Sequence, residues 1–348
     1  MKRVLSAPGK LFFAGEYAVL WGGVARIAAV GPRAFAAVRR REDREVRLLL
    51  QEGALSGTLT PSGVKWQQSP PPGFRFAARA VDCVVAAHPK ESLGFDLALS
   101  PSEEAAPGRK LGIGSSARAT VLSCEATRWV LEARVDVLKL ALLAHSEVQG
   151  GKGSGGDVAA SFTGGLVRYR RYNMAALSPL AIVQAPPVDA LRVPVGELFL
   201  TYAFAGESAS TEKWIGDVES RLDESARYRF VAQSDALGDA LERALLEGRF
   251  REAAEAMGEL HRLLCTLGPL ETEGMRRVLT LARTCGSAGK LSGAGGGDGV
   301  LLLSPDAEAR ESLLETLRAR AMFALPMSLE PGLRGEAEVP PVLQAWMR

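Results

Sequence analysis

Lys110-Leu111-Gly112-Ile113-Gly114-Ser115-Ser116-Ala117 ends where apolar residues start to recur at helical spacing through 117–133. A glycine-rich turn that runs straight into a helix brings unpaired N–H groups and the positive end of the helix dipole to one spot, an arrangement that binds phosphate. Gly112 and Gly114 let the main chain come close to the oxygens, and the hydroxyls of Ser115 and Ser116 can either cap the helix or ligate Mg²⁺. A plain Gly-Ser turn with a serine cap uses the same residues, so the stretch alone leaves both readings open. It is neither Gly-x-x-x-x-Gly-Lys-Ser/Thr nor Gly-x-Gly-x-x-Gly, so P-loop and dinucleotide-binding folds are not indicated.

Two more glycine-rich segments lie downstream. Gln149-Gly-Gly-Lys-Gly-Ser-Gly-Gly-Asp157 follows a helical pattern at 135–148 and puts a carboxylate at the end of a glycine loop, where Asp157 is either a helix N-cap or a catalytic group. Lys152 in the same loop favours an anion site. Lys290-Leu-Ser-Gly-Ala-Gly-Gly-Gly-Asp298 precedes the apolar run 299–303 and holds four glycines in five positions, more than a hairpin needs. It is either a simple loop or a close backbone approach to another segment or a phosphate. Near the start, Ala7-Pro-Gly-Lys-Leu-Phe-Phe-Ala-Gly-Glu-Tyr17 places Lys10 and Glu16 around a strand. Of the nine lysines in the chain, Lys10, Lys110, Lys152 and Lys290 fall in or beside these four segments, which points to a shared anionic ligand.

The 348 residues exceed the roughly 250–300 at which a single core stops growing, so two domains with a cleft between them are expected. A composition of 47% hydrophobic and 24% charged residues is that of a globular protein with a substantial core. The 42 basic and 40 acidic residues leave a net +2 with no basic run, which argues against a nucleic-acid partner. Cys83, Cys124, Cys265 and Cys285 form no Cys-x-x-Cys pair, so they read as reduced, buried thiols rather than a zinc site or disulfide framework. No apolar run reaches the roughly 18 residues of a membrane span, and Val4-Leu5 is too short for a signal peptide; a cytoplasmic protein without a membrane partner is expected.

Strand-like runs at 11–14, 34–39, 46–50 and 95–99 mix with helical patterns at 75–87, 117–133 and 135–148. After the cluster Pro179, Pro186, Pro187 and Pro194 come a strand at 198–204, helices near 225–246, 250–264 and 271–285, a strand at 299–303 and a further helix. The fold class is α+β, with domains expected over 1–185 and 186–348.

In this order and spacing the segments resemble the three motifs of the GHMP kinases, the superfamily that includes galactokinase, homoserine kinase, mevalonate kinase and phosphomevalonate kinase. Residues 7–17 resemble the first motif, 110–117 the ATP-phosphate loop and 290–299 the third. Within the superfamily, residues 145–171 are similar to the Gly-Ser-Gly-x-Asp-Val-Ala-Ala and later Tyr-Arg-Arg of phosphomevalonate kinases, and Ala209-Ser210-Thr211 resembles their Ala-Ser-Thr stretch. Tyr17 stands where mevalonate kinases more usually carry histidine, and Gly153 where they carry proline. Arg118 departs from the small residue usual after Ser-Ser-Ala, and Ile113 replaces a leucine.

The resemblance implies a two-domain GHMP kinase fold, ribosomal-protein-like at the N-terminus and ferredoxin-like at the C-terminus, with ATP and Mg²⁺ as cofactors and 5-phosphomevalonate as the acceptor. Mevalonate kinase is the alternative, with a diphosphomevalonate decarboxylase or a non-catalytic relative behind it. By the same resemblance Asp157 and Lys10 are the catalytic pair. Lys110, Gly112, Ile113, Gly114, Ser115, Ser116 and Ala117 would bind ATP, Ser115 or Ser116 also holding the metal. Glu16, Tyr17, Lys152, Ser154, Gly155, Ser210, Thr211, Gly295 and Gly296 would bind the substrate. Lys110, Lys152, Arg168, Arg171 and Lys213 are the cations available for a phosphorylated acceptor. His145 reads as a packing or supporting residue and Glu147 as a candidate to assist Mg²⁺. A monomer or homodimer is expected.

Overall fold

The computed structural model describes residues 2–90, 92–100, 104–106, 109–204, 211–297 and 299–347. Its strands are β1 (Lys2–Ala14), β2 (Val24–Arg40), β3 (Glu45–Leu50), β4 (Gly53–Thr60), β5 (Gly63–Trp66), β6 (Phe95–Leu99), β7 (Glu104–Ala106), β8 (Arg109–Lys110), β9 (Leu166–Arg170), β10 (Ala190–Val193), β11 (Phe199–Phe204), β12 (Ala288–Ser292), β13 (Gly299–Ser304), β14 (Ala324–Met327) and β15 (Arg334–Glu336). Its helices are α1 (Arg75–Ala87), α2 (Ser115–Val130), α3 (Val137–Val148), α4 (Gly156–Thr163), α5 (Thr211–Arg221), α6 (Glu224–Leu246), α7 (Phe250–Cys265), α8 (Glu273–Thr284), α9 (Ala307–Arg318) and α10 (Pro341–Met347).

The first motif lies on a strand far longer than the 11–14 expected. β1 runs antiparallel to β2 for almost its whole length, with register shifts between Ala7 and Gly9 and between Phe12 and Ala14. Pro8 and Pro32 both fall inside the first shift, between the pairs Ala7–Ala34 and Gly9–Val30, where neither is asked for a ladder N–H. The prolines that shorten the strand pattern in the sequence therefore sit at the one place a strand tolerates them.

The large sheet runs β10-β9-β2-β6-β3-β4-β5, with β1 between β2 and β15. Helices α1, α2 and α3 cover one face and bury Val81, Val84, Val121, Leu140 and Leu143 against Leu5, Val38, Leu48 and Leu97. The second sheet runs β12-β13-β11-β14, all antiparallel. Side chains alternate across β13: Leu301 and Leu303 join one core, Val300 and Leu302 the other. The latter packs on α8 and α9 through Leu279, Leu313 and Leu317. The former takes Leu241 of α6, Met257 and Leu260 of α7, and also Leu11, Phe13 and Val30 of the large sheet. A single apolar cluster thus spans both sheets, and the functional segments line the cleft beside it.

The expected boundary at 185/186 falls between β9 and β10. β10, beyond it, pairs with β9, and β15 near the C-terminus returns to β1.

Candidate active site

The turn at 110–117 behaves as a helix start with glycine, not serine, at the cap. Gly114 is the N-cap of α2 in the left-handed region (φ 89°), Gly112 has φ 74°, and no side chain caps the helix. Ser115 and Ser116 therefore occupy the first turn, whose N–H groups have no partner within the helix. The strand carrying Lys10 lies against this loop: Lys10 N–H donates to Ile113 O at 2.9 Å and Lys10 Nζ to Gly112 O at 3.3 Å. A Cβ on Gly9 would lie 2.8 Å from Ile113 O, so only glycine permits that approach. The side chains of Ile113 and Ala117 are buried in the two adjoining cores, which leaves them only their main chain to offer a nucleotide.

Asp157 is not an N-cap either. Gly155 caps α4 with φ 79°, which puts Asp157 second in the helix, its Oδ1 accepting from Val158 N–H at 3.0 Å. A Cβ on Gly155 would meet Leu142 and the Tyr169 hydroxyl, so this glycine shapes the helix start and its side of the loop is packed. Ser154 Oγ accepts from Gly156 N–H at 3.2 Å and lines the cleft. Lys10 and Asp157 stand beside one another at Gly114: a Cβ there would lie 3.3 Å from Lys10 Cγ and 3.9 Å from Asp157 Cβ. His145, on α3, reaches the same place, with Nε2 3.2 Å from Ser116 Oγ and 3.7 Å from Asp157 Oδ2.

The opposite wall joins the first motif to the third. Glu16 and Lys290, both buried, form an ion pair through Glu16 Oε1, and Lys290 Nζ also donates to Leu291 O at 2.7 Å. Burial pulls the Lys290 ammonium below the ordinary lysine range, and the Glu16 carboxylate opposes that fall. Tyr17 donates its hydroxyl to Ala294 O at 2.6 Å; burial, helped by Glu16 and Asp217, pushes its pKa far up and keeps it a donor. Gly295 and Gly296 do not line the cleft, contrary to expectation. Gly295 abuts Leu270 and Gly296 abuts the Trp214 indole, each with no room for a Cβ, so Gly293 and Ala294 are the cleft-facing pair of this loop.

Two cavities meet at the start of α2. One, about 320 Å³, is lined by Lys10, Glu16, Tyr17, Ser154, Asp157 and Gly293 among others; the second, about 170 Å³, lies over Phe35, Leu50, Phe76, Leu99 and Leu122. Ser115 and Ser116 line both. A chamber that holds Lys10, Glu16 and Asp157 and a second that sets the Phe35 and Phe76 rings beside Gln51, Glu52 and Arg118, joined at a helix N-terminus, suit a phosphate chain whose flat base lies in the second and whose reacting end points into the first.

A family model for the C-terminal part of the GHMP kinases matches residues 241–321. A phosphomevalonate kinase of Streptomyces sp. (strain CL190) is 33% identical, over 95% of this chain and 98% of its own. The chain belongs to the GHMP kinases. A mevalonate kinase of Pyrococcus furiosus is 24% identical over 88% of this chain and 90% of its own. A solved structure of Streptococcus pneumoniae phosphomevalonate kinase in complex with phosphomevalonate and AMPPNP superposes with a TM-score of 0.78 at 22% identity, covering 93% of this chain and 99% of that one. This GHMP kinase therefore has the two-domain α+β fold of the family and is an ATP-dependent kinase. Among the described residues, no helix is long and apolar enough to cross a membrane.

Several expected residues of the kinase lie elsewhere. Lys152 is exposed at the loop tip. Arg171 holds that loop in place, donating to Gly151 O at 2.8 Å and Leu20 O at 3.3 Å, while Arg168 lies 3.4 Å from Glu242, away from the cleft. Glu147 turns outward to Arg79 at 2.6 Å and is not a cleft residue. Ser210 lies outside the described residues, as do the side chains of Lys110, Thr211 and Lys213. Phe12, Val19, Leu20, Gln149, Gly153, Ile215, Gly293 and Ala294 also line the cavity and were not expected as site residues, although Phe12, Gln149, Gly153, Gly293 and Ala294 belong to the quoted segments.

Proposed function

We propose that the enzyme transfers the γ-phosphoryl group of ATP to the phosphate of 5-phosphomevalonate, giving 5-diphosphomevalonate and ADP. The observation that carries this reading is the α2 N-terminus shared by two cavities, with Lys10 and Asp157 together at Gly114 on the side of the larger one. ATP lies with its base in the smaller chamber and its phosphates on the first-turn amides of α2; the acceptor enters the larger chamber from the side of Glu16, Tyr17 and Ser154.

An oxygen of the acceptor phosphate attacks the γ-phosphorus, the bond to the β-γ bridging oxygen breaks, and ADP leaves with that electron pair. Positioning and charge neutralisation do most of the work in such a transfer. The Lys10 ammonium and the amides of α2 face the charge that builds on the migrating group. The second ionisation of a phosphate monoester lies near pH 6, so the nucleophile is already largely ionised at neutral pH and Asp157 acts mainly by orientation. Ser116 Oγ and the Asp157 carboxylate are hard oxygen donors that both lie within reach of His145 Nε2, and among the described residues no group of three or more acidic, histidine or cysteine side chains is placed to hold a metal ion. That sparse set fits Mg²⁺, which takes one or two protein ligands with substrate phosphates and waters. When bound, the ion would neutralise phosphate charge.

Identity at 33% to a phosphomevalonate kinase, against 24% to the mevalonate kinase, supports the phosphorylated acceptor. The test offers purified enzyme ATP with either mevalonate or 5-phosphomevalonate, follows ADP release, and looks for a diphosphate by phosphorus NMR. A kcat/KM at least about a hundredfold higher for 5-phosphomevalonate is expected, since a site built around a charged group leaves its polar partners unpaired when that group is missing. The reverse preference would identify a mevalonate kinase, and release of CO₂ a decarboxylase.

A further inference from the structure

α3 carries His145 into the seam between α2 and α4. There the ring is 1% exposed and lies on Phe76 with ring centroids 4.9 Å apart. Its Nδ1 is buried and meets no partner. An N–H left bare in the interior is rarer and costlier than a bare lone pair, so the neutral ring carries its proton on Nε2. That N–H faces Ser116 Oγ at 3.2 Å and the Asp157 carboxylate at 3.7 Å. Donation to Ser116 occupies one oxygen lone pair and turns the serine's own O–H away from the ring. Ser116 then keeps one lone pair and one proton for the cleft. The neighbouring acid on the same helix, Glu147, is engaged by Arg79 and leaves this position to the histidine.

We propose that His145 is a positioning residue that sets the register between the two substrates, its Nε2–H bonded to Ser116 on the nucleotide side and drawn toward Asp157 on the acceptor side. The proposal rests on the kinase reading above. Serine χ1 has three staggered wells, and the ring selects the one that serves the phosphates. The same contact steadies the carboxylate of α4 against the start of α2, two elements that meet around Gly114.

The test separates reach from packing. His145→Gln puts an amide nitrogen at about the distance of Nε2 from the backbone, whereas His145→Asn reaches only as far as Nδ1. Two readouts are taken: kcat and acceptor KM in the ADP-release assay, and the affinity of a non-hydrolysable ATP analogue with Mg²⁺ by calorimetry. For the asparagine variant a fall of about tenfold in kcat and several-fold in analogue affinity is expected, with melting temperature and acceptor KM held. The glutamine variant is expected to stay within about threefold of the parent. In a Ser116→Ala background, His145→Asn should add little further loss of analogue affinity, because the path through the serine is already gone. Equal losses in the two single variants, or full additivity in the double variant, would overturn the proposal. The calorimetric arm needs no acceptor. Enzyme inert toward both mevalonate and 5-phosphomevalonate would therefore refute the assigned reaction while the effect of His145 on the nucleotide stays measurable.

Discussion

At Gly114 two side chains and one helix end share a single point, which makes single-atom changes there costly. Gly114→Ala would force a left-handed backbone on a Cβ-bearing residue, at a cost of about 1–2 kcal/mol, and set that Cβ 3.3 Å from Lys10 Cγ. A lower melting temperature together with weaker binding of the ATP analogue is expected. Lys10→Met and Asp157→Asn should each lower kcat by about a hundredfold or more while the fold, followed by circular dichroism, stays intact. Full activity of either purified variant would remove these residues from the reaction. Lys10, Ser116 and Asp157 could be picked out from the sequence because each sits in or beside a glycine-rich turn. His145 could not be given its contacts, because helical spacing shows only that the residue is enclosed, while its partners come from two other helices.

Between elements, the buried Glu16–Lys290 pair ties the loop after β1 to β12. Lys290→Met would strand the Glu16 carboxylate, whose Oε2 already has no partner, and should cost about 3–5 kcal/mol in denaturant unfolding. Adding Glu16→Gln should recover much of that loss, since two neutral groups need no counter-charge. A pH effect arises beside Lys290, at His261 of α7. Its Nδ1 accepts from Leu291 N–H at 3.4 Å and its Nε2 lies 3.0 Å from Glu271 Oε1. Burial lowers its pKa below the ordinary 6.5, Lys290 and Arg283 add to the fall, and Glu271 opposes it. Below 6.5 the unfolded chain takes up a proton that the folded chain refuses, so this contribution is full above that pH and declines as the solution is acidified through the window. His261→Gln should therefore flatten the fall in melting temperature between about pH 7.5 and about pH 5.5. The glycine run of the third motif reads as either a simple loop or a close backbone approach, and the structure has the second. Which glycines face the cleft depended on Trp214 and Leu270, which no local pattern links to them.

For the molecule as a whole, the core that joins Leu11 and Val30 to Leu241 and Leu301 predicts one cooperative unfolding transition in calorimetry rather than two. The α+β class and its two units were legible from length and periodicity, while Pro179, Pro186 and Pro187 of the proline cluster lie between two strands that pair with each other, β9 and β10. The return of β15 to β1 was not, because the paired residues Val4 and Glu336 lie at opposite ends of the chain and nothing in either stretch names the other. That return also supplies Arg33 with the Pro331 and Gly332 carbonyls at 2.6 and 2.8 Å. A chain ended at 328 should accordingly lose solubility and melt well below the parent, since it leaves a largely buried guanidinium short of acceptors and one edge of β1 unpaired. During synthesis domains tend to fold as units from the N-terminus onward. Here the strand that bears Lys10 pairs early with β2, yet its other neighbour, β15, is made roughly 300 residues later. Until β15 is made, that edge of β1 stays unpaired, the kind of open edge that templates strand-to-strand association between chains.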